Sequence, residues 1–300
     1  MLEKKSPITN GKVKIVQKIP VSLILGNIKK QYGYDMSESF KGITEISVLE
    51  CEEIGYRFYY PFPEIDEEQF YNKTGRQEAY YPQSRWEFSI ALEFMRPNDN
   101  ILEIGSGYGG FLDILSNKGF SSYQGIELNQ KAIEVIRNKG YKITDSLIQN
   151  FSQYHNEEFD IVCMFQVLEH INDVDSFIRN CLKVLKKNGK LIIAVPNNDA
   201  FVMQYDYLSS AGNLPPHHIG LWREESLKKI GIYYGLKLIS VEKETLPSSL
   251  LGYYYTLKMK KILGNFANLI VFPTRWLIKL FFKGKTNKIL GPSILIVFQK

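Results

Sequence analysis

Cysteine is scarce in this chain. Cys51, Cys163 and Cys181 are the only three in 300 residues. An odd, widely scattered set makes neither a disulfide framework nor a C-x-x-C pair, which fits a reducing compartment. Long hydrophobic runs are missing too: the longest uncharged apolar stretch, Ile262 to Thr274, is well short of the ~20 residues that span a bilayer. The N-terminus, Met1-Leu2-Glu3-Lys4-Lys5-Ser6-Pro7, lacks the apolar segment of a secretion signal. The expectation is a cytoplasmic protein, soluble or peripheral at the inner membrane surface. With 44% hydrophobic and 23% charged residues the chain is not of a disordered type. Its length holds one large α/β domain with appendages, or two modest domains.

Acidic residues vanish from the C-terminal end. After Glu244 there are nine cations (Lys258, Lys260, Lys261, Arg275, Lys279, Lys283, Lys285, Lys288 and Lys300) and no Asp or Glu. The first 244 residues hold 28 basic against 32 acidic side chains, so the overall +5 lies wholly in this tail. A net-acidic core argues against a nucleic-acid partner, and the tail points to a local anionic one. Arg275, Lys279 and Lys283 form one helical stripe, with Trp276, Leu277, Leu280 and Phe281 opposite. Such a segment, across 257–283, reads as an interfacial membrane helix, or as a lid packed on the sheet or on a second copy in a homodimer. Apolar helix faces are usually buried, so lid or dimer is the expectation.

What is present begins with Ile101-Leu102-Glu103-Ile104-Gly105-Ser106-Gly107-Tyr108-Gly109-Gly110-Phe111-Leu112, a strand running through a glycine-rich turn into a helix. Glycines there let the backbone pass close to a ligand, and the helix N-terminus offers it N–H groups. Gly105, Gly107 and Gly110 fit the G-x-G-x-x-G of dinucleotide sites, while Gly105, Gly107 and Gly109 fit equally the G-x-G-x-G loop of S-adenosylmethionine (SAM) enzymes. Glu103 has no use beside a pyrophosphate, but suits a sulfonium and an ammonium group. Glu127, closing the strand Tyr123–Glu127, can accept ribose hydroxyls in either case. Ser106 and Leu128 complete the cofactor-binding candidates of this turn.

From Asn100 on, short strands and helices alternate, which argues for βαβ units and a parallel sheet. Strands are expected at 100–105, 122–127, 141–145, 159–165, 190–195, 236–243 and 293–299, and helices near 109–118, 129–138, 173–186 and 224–233. The fourth strand reads Phe159-Asp160-Ile161-Val162 and exits through Gln166-Val167-Leu168-Glu169-His170. Leu185-Lys186-Lys187-Asn188-Gly189-Lys190-Leu191-Ile192-Ile193-Ala194-Val195-Pro196-Asn197 follows.

On these motifs the chain resembles the class I SAM-dependent methyltransferases of the small-molecule and sugar (type 11/23) group. The resemblance implies an α/β, Rossmann-like seven-stranded sheet whose last strand runs antiparallel between the fifth and sixth. The corresponding division is an N-terminal extension over 1–75, a SAM-binding core over 76–246, a basic helical insertion over 247–290 and the last core strand over 291–300. It implies SAM as cofactor and a small-molecule or glycan-type acceptor methylated at oxygen, with a lipid-linked or quinone-type acceptor as the rival. An NAD-dependent oxidoreductase and a non-catalytic scaffold are the readings from other classes. The fourth strand carries no Asn/Asp-Pro-Pro-Tyr/Phe base-flipping motif, so no nucleic acid is expected. By the same resemblance Asp145 and Ser146 meet the adenine edge, Gln166 meets the methionine part, and Tyr81 or Arg85 closes over the methionine end. The hairpin of 46–61, turning near Gly55, resembles the second knuckle of a zinc ribbon. Ile54 stands where its second cysteine belongs, so Cys51 cannot complete a tetrahedral site.

Methyl transfer is an in-line displacement at carbon, for which the protein mainly positions the acceptor. A hydroxyl acceptor benefits from a base, and histidine titrates in the right range. His170, on the exit of the fourth strand, and His217 and His218 in the loop Leu214–Trp222 are the catalytic candidates. Some metal-assisted O-methyltransferases, which this run resembles, carry E-x-x-E-H with a distant histidine. Here Gln166 replaces the first carboxylate, removing a charge that a hard cation needs, so no metal is expected.

Overall fold

The computed structural model describes residues 4–63, 84–264 and 288–300. Two sheets form the frame. The larger takes β4 (Asn100–Ile104), β5 (Ser122–Ile126), β6 (Ile143–Thr144), β7 (Phe159–Phe165), β8 (Leu185–Pro196), β10 (Lys237–Thr245) and β11 (Leu290–Gln299), in the spatial order β10-β11-β8-β7-β4-β5-β6. β11 runs antiparallel to both of its neighbours, while β4, β5, β6, β7 and β8 are mutually parallel. This is the seven-stranded arrangement expected above, with the last strand inserted between the fifth and sixth.

Parallel strands covered on both faces need apolar residues on both, and the sequence supplies them. Ile101, Leu102 and Ile104 in β4 and every residue from Ile161 to Phe165 in β7 are buried. The covering helices are α3 (Gly110–Asn117), α4 (Gln130–Asn138), α6 (Val174–Val184) and α8 (Glu224–Tyr233), with α2 (Trp86–Leu92) ahead of β4 and a single turn, α5 (Ile148–Phe151), after β6. Asn129 caps α4 and Asp173 caps α6, each side chain accepting a backbone N–H. Chain order departs in opposite directions on the two sides of β4, towards β5 on one and β7 on the other. Ligands in such sheets lie at this switch, beyond the carboxyl ends of the strands.

The smaller sheet is antiparallel, in the order β1 (Val13–Pro20), β2 (Glu45–Cys51), β3 (Arg57–Tyr60), β9 (Gly220–Leu221). Alternation in β2 sends Ile46 and Val48 to one face, where α1 (Val21–Tyr32) packs Val21, Ile24 and Ile28. Leu49 and Cys51 go to the other face, into the main core beside Tyr56, Phe58 and Trp222. The hairpin turns at Gly55 as expected, and Ile54 is buried. The buried Cys51 thiol meets the Thr9 hydroxyl at 3.6 Å, and no metal-holding cluster includes it among the described residues. β9 lies in the stretch read as core, so the sheet of the described part of the N-terminal extension takes one strand from beyond it.

Two expectations need correction. The third core strand, placed at 141–145, shrinks to Ile143–Thr144. Ser22 to Leu25 is helical in α1, whose buried positions recur at helical spacing. The helix ahead of β10's partner begins earlier than 257: α9 (Leu251–Leu263) lays Leu251, Tyr254 and Leu257 on Ala200, Val202 and Leu246, near α7 (Phe201–Asp206). Lys258 sits over the Tyr254 ring and Lys261 over the Phe201 ring, so part of the basic tail covers aromatic faces of its own chain. Arg275, Trp276, Lys279 and Lys283 lie outside the described residues, as does Tyr81. No described helix is long and apolar enough to cross a membrane.

Candidate active site

A cavity of about 400 Å³ opens at the carboxyl ends of β4, β5 and β7. Its floor is the glycine turn, with Gly105, Gly107 and Gly109 at φ of 76°, 52° and 79°. At Gly105 a side chain would force a shift: its Cβ would stand 2.4 Å from a Val167 methyl carbon, besides the strain of positive φ. The turn is tied to β5, since the Gly105 and Ser106 amides both donate to the Ile126 carbonyl, at 2.8 and 3.2 Å.

Glu127 completes this tie. Its carboxylate accepts from the amides of Gly107 at 2.7 Å, Leu128 at 2.8 Å and Asn129 at 2.9 Å. Burial raises its pKa, and the three amides oppose the rise. An ionised carboxylate has about four lone-pair sites, so capacity remains for a hydroxyl of a ligand in the cavity it lines.

Glu103 sits between Gly125 and Cys163 on the neighbouring strands and is only 2% exposed. One carboxyl oxygen, Oε2, has no hydrogen-bond partner among the described residues. Burial pushes its pKa up to about 8, with the Ser106 hydroxyl opposing. A buried carboxyl with an idle oxygen on a cavity wall is costly unless a cation meets it. The ammonium or sulfonium of SAM supplies that cation, so the residues present fit the cofactor. Arg85 lines the same wall, and apolar surface comes from Phe88, Phe165, Val167, Ile171 and Phe177.

Further candidates divide. Leu128, Ser146 and Gln166 line the cavity. Asp145 does not: its carboxylate takes the Gln130 amide at 2.7 Å. Gly109 caps α3 rather than lining the cavity. Gln166 leaves β7 at φ 57°, and its side-chain amide donates to Glu87 at 2.7 Å. Glu87, buried on α2, was not legible as a site residue; an acid in a first helical turn normally faces water.

The three histidines come together. Their ring centroids lie 5.0 Å (His170 to His217), 4.9 Å (His170 to His218) and 4.7 Å (His217 to His218) apart. His170 lines the cavity; His217 and His218 are buried behind it. His170 Nδ1 lies 2.6 Å from the His217 carbonyl oxygen. A carbonyl only accepts, so Nδ1 carries the proton. Burial pushes the His170 pKa down to about 4, and that of His218 well down, aided by its two histidine neighbours. The neutral His170 ring therefore keeps its lone pair on Nε2. Glu169, 1% exposed, has its pKa pushed up to about 8 by burial, and its carbonyl accepts the Ile219 amide at 2.8 Å, fastening the histidine loop.

Comparison with known proteins agrees with this geometry. A family model described as a methyltransferase domain matches residues 69–241, and the chain belongs to that methyltransferase family. The fold is shared with a SAM-dependent methyltransferase from Archaeoglobus fulgidus, at TM-score 0.53 and 18% identity over 78% of this chain and 100% of that one. A SAM-dependent methyltransferase from Thermotoga maritima superposes at TM-score 0.52 and 16% identity, over 78% and 97% of the two chains. Two curated relatives carry the name ubiquinone biosynthesis O-methyltransferase. The mitochondrial one of Dictyostelium discoideum is 30% identical over 113 residues, 33% of this chain and 35% of its own length. That of Pelagibacter ubique is 34% identical over 105 residues, 33% of this chain and 43% of its own length. The chain thus spans less than half the length of either relative. The family match favours the SAM reading of the glycine turn over the NAD one.

Proposed function

We propose that this methyltransferase acts on a hydroxyl oxygen of a small molecule, with a glycan-type acceptor as the first expectation. The observation that carries the reading is the tautomer of His170. Its Nδ1 proton is committed to the His217 carbonyl, which makes Nε2 the basic nitrogen of a ring that lines the cavity. SAM, when bound, brings an already activated methyl group. The protein's share is to hold the acceptor oxygen in line, exclude water with the Phe88, Phe165 and Phe177 walls, and relieve the hydroxyl of its proton. An amine free base has no such need of a proton acceptor in this position.

The names of the two relatives favour a second reading within the class, a quinone-type phenol. A panel of sugars, phenols and amines, scored by release of S-adenosylhomocysteine, separates the two. Turnover of hydroxyl acceptors, lost on His170→Ala, supports the reading; turnover confined to amines overturns it.

A further inference from the structure

Packing finishes only the inner side of the helical layer at one end of the sheet. α7 leaves β8 there and α9 follows β10. β11 runs antiparallel to both strands and β8 parallel to β7, so this is the end at which the cavity opens. The first half of α9 is accounted for, since Leu251, Tyr254 and Leu257 are buried in its contact with α7. Past Leu257 no residue of the helix is buried, and Ile262 is 74% exposed with Leu263 exposed beside it. Tyr255, Met259, Ile262 and Leu263 recur at i, i+4, i+7 and i+8, which places them on one side of the helix. Lys258 and Lys260 border that side, one on each flank, and Lys261 lies further round. Tyr205 and Tyr253 add exposed aromatic surface. A single exposed apolar residue needs no explanation. An apolar stripe flanked by lysines and tyrosines is the composition of a helix lying in a headgroup layer, where lysine stems run along the apolar side and their ammonium groups reach phosphate.

We propose that α9, from Tyr255 to Leu263, docks on the surface of an anionic phospholipid bilayer. Charge selects this occupant. No Asp or Glu follows Glu244, whereas nine cations do. A second copy placed on the same face by a two-fold axis would set these lysines against their equivalents, with no acid in the segment to receive them. An acidic headgroup layer supplies the countercharge, and Ile262 and Leu263 leave water among the upper acyl groups. Docking in this way turns the cavity end of the sheet towards the lipid, which suits an amphiphilic hydroxyl acceptor. The docking itself does not depend on the oxygen-acceptor reading.

The test is co-sedimentation of the purified full chain, without SAM or acceptor, with vesicles of phosphatidylcholine alone and of phosphatidylcholine with phosphatidylglycerol. The expected result is binding to the mixed vesicles only, weakening as salt is raised. Lys258→Gln, Lys260→Gln and Lys261→Gln combined should reduce it about a hundredfold, on the order of fivefold for each lysine. Ile262→Ser should reduce it about tenfold. Lys258 and Lys261 also sit over the Tyr254 and Phe201 rings, so thermal melts accompany the triple variant. Should it unfold, Lys260→Glu and Ile262→Ser, both at exposed positions, carry the comparison. No binding to either vesicle, equal binding to both, or binding that the α9 variants leave unchanged overturns the proposal. Dimerisation or RNA retention that the variants abolish, without vesicle binding, overturns it as well. Methylation of soluble hydroxyl acceptors is scored separately, so failure of the docking leaves the oxygen-acceptor reading standing, and the reverse holds.

Discussion

Gln166 and Glu87 stand 2.7 Å apart, the side-chain amide of one donating to the carboxylate of the other. The contact joins the exit of β7 to α2 behind the wall that faces the methyl donor. It also engages the side chain that stands where the metal-assisted pattern has its first carboxylate. Glu87→Ala should release Gln166 from its φ of 57°, a conformation that is strained for a residue with a side chain. SAM affinity is expected to drop about tenfold, the size of one lost charge-assisted hydrogen bond. Calorimetric titration reads it, and unchanged affinity would show that the pairing is not needed for the donor site.

Gly105→Ala places a methyl 2.4 Å from Val167 at positive φ. The backbone strain alone costs about 1–2 kcal/mol, so SAM binding should weaken tenfold or more while the apoprotein still folds. Gly107→Arg should abolish SAM binding altogether, and retained affinity would sink the assignment of the turn.

The buried carboxyls make stability depend on pH in a definite sense. Glu103 is held at about 8 by burial against an ordinary value of 4.5, so between these values the folded chain keeps a proton that the unfolded chain releases. Its contribution is full below about 4.5 and lost as pH rises through about 8. Glu169, raised to about 8, and Glu244, raised to about 7, both by burial, act in the same sense. His170, lowered to about 4 by burial, acts oppositely, and only as pH falls below its ordinary 6.5. From pH about 6.5 to about 8.5 the Tm of the SAM-free protein should therefore fall, and that of Glu103→Gln should fall less. SAM affinity should rise over the same window, as the carboxylate forms. Parallel melting curves for the two proteins would refute this.

Two tyrosines of the hairpin make a matched pair. The Tyr59 hydroxyl donates to the Asn213 carbonyl at 2.9 Å, whereas the Tyr56 hydroxyl, equally buried, has no partner among the described residues. Tyr59→Phe should cost about 1 kcal/mol, and Tyr56→Phe should be neutral or stabilising. Thermal melts decide, and a Tyr56→Phe loss larger than that of Tyr59→Phe would reveal a bound group at that hydroxyl.

The donor half of the site was legible because its signals are local. Glu103, Gly105 and Gly107 stand within five residues, and β4 and β7 announce themselves by continuous apolar runs. Asp145 shows the limit of a local reading: its position after a strand was readable, but not Gln130 on the adjacent helix, whose amide its carboxylate accepts. The acceptor half is built from distant pieces. The histidines could be named one by one, yet their meeting depends on Ile219 reaching back to Glu169. Glu87 could not be named at all, because what buries and engages it is Gln166, far along the chain.

β9 has a consequence for how the chain is made. On the ribosome β1, β2 and β3 emerge first and can pair at once, but the free edge of β3 finds its partner only when Gly220 and Leu221 appear, more than half the chain later. Until then Arg57 to Tyr60 present an open row of backbone donors and acceptors, the kind of edge that recruits strands from other chains. The nascent protein is thus most exposed to misassociation while its methyl-donor half is being synthesised, and the arrival of the histidine loop closes that edge and the catalytic site together.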